Sequence, residues 1–119
     1  MQKVNILGTE YTIETHKISE DETMKKNQWS GYCAEESKLI VVADMTEKEY
    51  VNIEPAEAQE QYRKKTIRHE IVHAFFNESG LSDNSNTYSG AWSRNEEMVD
   101  WIAIQFPKIM EAFKRADCL

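Results

Sequence analysis

His69-Glu70-Ile71-Val72-His73 is the stretch of this chain whose residue types and spacing can do chemistry. A helix turns about 100° per residue, so positions i and i+4 share a face, one turn apart. On a helix, His69 and His73 offer their imidazoles to one metal ion, and Glu70 sits beside that face. A carboxylate there reaches a water on the ion without entering the coordination sphere. Two imidazole ligands and an adjacent base are the parts of metal-assisted hydrolysis. The bland alternative is a surface helix that happens to carry two histidines. Against it, the chain has only three histidines, and two fall at ligand spacing. The third, His16, lies in a polar stretch and reads as a solvated side chain.

Catalytic zinc sites usually have three protein ligands and one open position. The extended pattern H-E-x-x-H-x-x-G-x-x-H fails here, because Phe76 stands at its glycine and Ser79 at its third histidine. No histidine follows His73, so a three-histidine site would need His16 to fold back. A carboxylate is the remaining standard donor, and Asn95-Glu96-Glu97-Met98-Val99-Asp100 offers one after a loop and a returning helix. Glu96 and Glu97 point about 100° apart, so only one of them faces the ion. Choosing Glu96 puts Asp100 at i+4 on the same face, where a carboxylate can take the other N–H of a ligand imidazole. An acidic first turn that complements the helix dipole also explains the Glu96-Glu97 pair.

With these residues the sequence resembles the gluzincin metallopeptidases, whose second helix carries N-E-x-x-x-D. The resemblance implies zinc as cofactor, Glu96 as third ligand, Asp100 as hydrogen-bond partner of a ligand histidine, and Glu70 as catalytic base. More narrowly, the chain is similar to the small ImmA/IrrE-type metallopeptidases of phages, plasmids and bacterial genomes. That likeness covers about residues 60–107: the basic helix Arg63 to Arg68, the H-E-x-x-H run, and the acidic helix through Asp100 to Pro107. Val99-Asp100 stands where the family usually has Ala-Asn. No helix-turn-helix segment accompanies the motif, so a repressor-cleaving role does not follow. The resemblance implies a zincin-like α+β fold and hydrolysis of a peptide or protein substrate. The competing expectation is a zincin-fold binding or regulatory protein with zinc but little proteolysis. A third has zinc as a structural staple, with Cys33 or Cys118 as fourth ligand.

The elements that must position these residues follow from hydrophobic period. Residues 2–14 read as a β-hairpin, with Val4, Ile6, Tyr11 and Ile13 alternating around a Gly8-Thr9 turn. Residues 17–30 are polar and read as a loop or short helical turn. Gly31 to Ala34 and Lys38 to Ala43 read as a second strand pair, and the continuous apolar run of the latter predicts burial on both faces. Together these pieces predict a small, largely antiparallel sheet, with Lys38 to Ala43 as a candidate to support a substrate along an edge. Residues 44–56 are acidic and irregular. A long helix is expected from about Ala56 to Ser79, stopped by Gly80, with Ile67, Ile71, Ala74, Phe75 and Glu78 on its buried stripe. Tyr62, Thr66, His69, His73 and Phe76 lie on an adjacent stripe, towards a cleft. After a loop at 80–93, Ser93 and Glu96 form a capping-box pattern for a helix from about Arg94 to Arg115. Val99, Ile102, Phe106, Ile109 and Phe113 make its apolar stripe, and Pro107 should kink or break it. Tyr88 and Trp92 are candidate oxyanion stabilisers, more simply read as loop anchors.

Bulk properties narrow the partners. The 119 residues suit one domain, and 29% charged with 40% apolar is ordinary for a soluble globular chain. A net charge of −7 disfavours nucleic acid. The one dense basic cluster, Arg63-Lys64-Lys65 with Arg68, reads as a solvated face paired with Glu57 and Glu60. No apolar run is long enough to span a bilayer, so no membrane partner is expected. The N-terminus lacks a signal-peptide core, so a cytoplasmic setting, bacterial or in a phage-infected cell, is expected. Two distant cysteines, Cys33 and Cys118, read as free thiols.

Overall fold

Hydrophobic alternation at the N-terminus builds the expected hairpin. β1 (Gln2–Ile6) and β2 (Thr9–His16) pair antiparallel. Their turn is Leu7-Gly8 rather than Gly8-Thr9: both residues take positive φ, 51° and 91°. That is the turn whose twist matches a right-handed hairpin, and glycine adopts it freely. A 3-10 turn (Ile18–Glu20) and a short helix α1 (Glu22–Asn27) follow. Asp21 caps α1 by accepting the Met24 amide at 3.0 Å. β3 (Gly31–Ala34) and β4 (Leu39–Ala43) come next, then α2 (Ala56–Glu78) and α3 (Glu96–Arg115). This computed structural model describes residues 2–81 and 91–119. The protein is a compact α+β domain with one small sheet and packed helices. Among the described residues, no helix is long and apolar enough to cross a membrane.

The sheet is largely antiparallel as expected, in two of its three strand pairs, with one departure. Its order is β1-β2-β4-β3, and the central β2–β4 pair is parallel, so the sheet is mixed. A parallel pair needs a crossover, and residues 17–38, with α1 and β3, make it. β4 is therefore an interior strand, and β3 stands at the edge. Interior position agrees with the apolar run: Ile40, Val41, Val42 and Ala43 are all fully buried. One core cluster joins Ile6, Tyr11, Ile13 and Ile40 to Ala74 of α2. The other joins Val41, Val42 and Ala43 to Ile18, Met24, Met45 and Val51. Ile67 of α2 packs against both.

The C-terminal end of α2 is pinned to the sheet by one carboxylate. Glu78 accepts from Thr9 Oγ1 at 3.0 Å, Tyr11 Oη at 2.7 Å and Lys38 Nζ at 2.8 Å. These donors, the Lys38 ammonium first, hold its carboxyl down at about 2. The unfolded value is about 4.3. A depressed folded pKa stabilises above the unfolded value, and that stabilisation is lost as pH falls towards the folded one. Glu78→Gln is therefore expected to lower the urea midpoint at pH 7. Its deficit against the unsubstituted chain should narrow as pH drops from about 4.3 towards about 2. Urea titrations at several pH values check this, and a deficit constant across that window refutes the pairing account.

α3 departs from expectation at three places. Its cap is Asn95, whose side chain accepts the Met98 amide at 2.9 Å. Ser93 instead sits in a 3-10 turn (Trp92–Arg94) and donates to the Leu81 carbonyl at 2.6 Å, so the capping box is not formed. Of the kink or break expected at Pro107, the break does not occur, since the helix passes through it as one element. Its apolar stripe is buried only at the start: Val99 is at 0% exposure, whereas Phe106 and Phe113 stand above 40%. On α2, Phe75 is likewise exposed, where a buried position was expected.

Candidate metal centre

α2 places its motif as its period requires. His69 and His73 lie one turn apart, with Nε2 atoms 3.1 Å from each other. α3 runs past them and brings in Glu96, whose carboxylate lies 3.0 Å from His69 Nε2 and 3.1 Å from His73 Nε2. Of the two rival glutamates, Glu96 is thus the one brought to the imidazoles. Asp100, one turn on, meets His69 Nδ1 at 2.7 Å. A carboxylate at this distance can take the Nδ1 hydrogen of the ring, the arrangement that leaves Nε2 free to bind a metal ion.

Three electron-pair donors thus face one point. A tetrahedral ion with bonds of about 2.0–2.1 Å holds its ligand atoms about 3.3 Å apart. The observed separations of 3.0–3.1 Å are close to that edge length. The donor set and its spacing therefore fit a small metal ion. His69, Glu70 and His73 also form a group whose ligand atoms lie within 4.8 Å of one another and can hold a metal ion.

Burial separates the roles within this group. Glu70 is only 6% exposed, whereas the Glu96 side chain is 64% exposed. Burial pushes the Glu70 carboxyl up to about 7, His69 opposes the rise, and the charges of Glu96 and Asp100 add to it. Burial also lowers the pKa of His73, against the pull of Glu96. That favours the neutral imidazole, the form a metal ligand takes. Glu70 Oε1 stands 3.9 Å from His69 Nε2, farther than the Glu96 carboxylate at 3.0 Å.

The group lies in a cleft of about 830 Å³, between edge strand β3 with the residues before it, α2, and the start of α3. Tyr62 and Thr66 line it, on the stripe of α2 that the sequence pointed inward. Phe76, from the same stripe, packs edge-on against Trp92 with ring centroids 5.8 Å apart. Trp92 is 61% exposed and is not among the residues that line the cleft. Tyr88 lies outside the described residues.

Other expectations resolve differently. Cys33 and Cys118 are both free. Cys33 lines the cleft, where burial pushes its thiol up to about 12, but it is not part of the His69, Glu70 and His73 group. Cys118 is exposed, contacts the Phe113 carbonyl, and does not line the cleft. Among the described residues, neither belongs to the group that can hold a metal ion. His16 is not simply solvated: it bridges Asp21 at 2.6 Å and Glu14 at 2.9 Å, remote from the metal group. In the basic cluster only part of the expected pairing forms. Arg63 meets Glu60 at 3.3 Å, but Lys65 lies over the Tyr62 ring and Arg68 reaches α3.

Sequence reasoning missed three contributors. Tyr32 lines the cleft from β3 while donating to Asp21 at 2.9 Å. Gly31 lets β3 approach α2 beside Glu70. Arg68 bonds the Ala103 carbonyl at 2.6 Å. Gly31 heads a strand beside no turn that requires it, and that was a legible hint of close backbone approach. Comparison with known proteins adds no relative: no protein-family model, curated protein or solved structure matches this chain.

Proposed function

We propose that this chain is a zinc-dependent metallopeptidase of the gluzincin kind, acting on a peptide or protein substrate. The observation that carries the reading is the convergence of His69, His73 and Glu96 within 3.0–3.1 Å beside a buried Glu70. Zinc, when bound, supplies a Lewis acid that polarises a carbonyl and acidifies a water. The chain's own residues do the rest. His69, His73 and Glu96 hold the ion, and Asp100 keeps His69 in the ligating tautomer. The Glu70 carboxylate takes a proton from the attacking water and returns it to the leaving amine as the C–N bond breaks. Burial of Glu70 raises its proton affinity towards neutrality, which suits both transfers. An extended substrate is aligned along β3, the edge strand that walls the cleft.

Elemental analysis of the purified protein tests this first. One zinc per chain is expected, absent from His69→Ala. No metal after reconstitution with zinc sinks the reading.

A further inference from the structure

Pro107 stands inside α3, where a residue must give its amide hydrogen to the carbonyl four positions back. Proline has no such hydrogen, and its ring crowds that same carbonyl. The carbonyl concerned belongs to Ala103, which is 1% exposed. Left alone, a buried acceptor of this kind loses its hydration without compensation and destabilises the fold. It is not left alone: Arg68 Nε donates to the Ala103 oxygen at 2.6 Å. A charged donor makes the stronger class of hydrogen bond.

Position gives this bond its meaning. Arg68 immediately precedes His69 on α2. On α3, Glu96, Asp100 and Ala103 stand at i, i+4 and i+7, along one face. The bond therefore ties the backbone of the helix that carries the carboxylates to the residue beside the first histidine. We infer that Arg68 is a positioning residue, which uses the carbonyl freed by Pro107 to hold Glu96 and Asp100 in register with His69 and His73. The inference rests on the metal-centre reading above. It explains why the helix runs through its proline unbroken, and it assigns a task to a member of the basic cluster that is not charge pairing.

The test is a four-protein cycle on the full chain: unsubstituted, Arg68→Met, Pro107→Ala, and both together. Zinc affinity is measured by competition with a chromophoric chelator, and stability by urea unfolding. Arg68→Met is expected to weaken zinc binding about tenfold, as loss of outer partners of metal ligands does. In the Pro107→Ala background the alanine amide fills the Ala103 carbonyl, so the same change should weaken binding less than about threefold. A purely structural role for Arg68 shifts the urea midpoint and leaves the zinc affinity of the folded protein unchanged, and that result overturns the proposal. So does an equal loss of affinity in both backgrounds, which makes Arg68 act by charge alone. If Arg68→Met does not fold, recovery of folding in the double variant supports the proposal and continued failure overturns it. If the unsubstituted chain binds no zinc, the metal reading fails separately. The unfolding cycle then decides whether Arg68 and Pro107 are coupled at all, and a coupling near zero overturns that too.

Discussion

Glu70→Gln is expected to lower peptide hydrolysis by about 10²–10⁴-fold while leaving the zinc content at that of the unsubstituted chain. Glutamine keeps the shape and the hydrogen-bonding reach of the side chain but cannot accept a proton. On the geometry of the site, Glu70 is a neighbour of the ligands, 3.9 Å from His69 Nε2, whereas Glu96 lies 3.0 Å from the same atom. Metal retention should therefore not depend on its charge. A rate loss of that size corresponds to about 2.7–5.5 kcal/mol of transition-state stabilisation, which a displaced loop or a weakened surface ion pair does not reach. Single-turnover hydrolysis of a peptide library, with metal content measured on the same samples, separates three cases. Loss of rate with metal retained supports the base. Loss of metal makes Glu70 a ligand. An unchanged rate removes Glu70 from the mechanism, and no detectable rate in either protein favours a binding module on the same scaffold.

What could be read from the sequence and what could not divide along a physical line. Local periodicity is written in the chain. The i, i+4 spacing of His69 and His73 is fixed by helix geometry alone, and the structure places them on one face of α2. The unbroken apolar run of β4 announced burial on both sides, and its core residues are fully buried. Helix phase also favoured Glu96 over Glu97, because Asp100 then falls at i+4, and the structure brings Glu96 to the imidazoles. Partners distant in sequence are not written in the same way. Alternation shows that β2 and β4 are strands but not that they pair in parallel. Ser93 and Asn95 are both good caps, and what separates them is a long-range bond from Ser93 to the Leu81 carbonyl. Pro107 predicts a kink or a break on local grounds, and where the helix stays in one piece the structure supplies a donor from another element. The stripe on α3 failed for a related reason. Its period is helical throughout, but every residue from 111 to 119 is exposed, so a sound pattern meets no neighbouring element there.

The second large effect concerns a glycine. Gly31 opens β3 at the point where the edge strand crosses α2, and a Cβ there meets two atoms at 2.8 Å: Thr66 Cγ2 and the Val41 carbonyl oxygen. Neither contact is tolerable, but they differ in kind. A side-chain methyl can be removed or rotated, whereas the Val41 oxygen belongs to the backbone of β4, the most buried strand of the sheet. Gly31→Ala is expected to destabilise by about 2 kcal/mol, the middle of the range for overpacked sites. For a chain of this length that lowers Tm by roughly 8 °C. Removing the methyl with Thr66→Ser in the same protein should restore only part of the loss, since the carbonyl contact remains. Calorimetry on the single and double variants checks both statements. Unchanged unfolding in Gly31→Ala shows that β3 can withdraw from α2 at no cost. Full recovery in the double variant shows that the helix side chain, not the strand backbone, sets the separation. The consequence reaches the site, because the Glu70 side chain stands only 3.6 Å from the same added carbon, in ordinary contact. A strand that carries a side chain at position 31 must stand farther from α2, and the wall that keeps Glu70 dry moves with it. The glycine thus fixes the spacing between the edge strand and the helix on which the proposed chemistry depends.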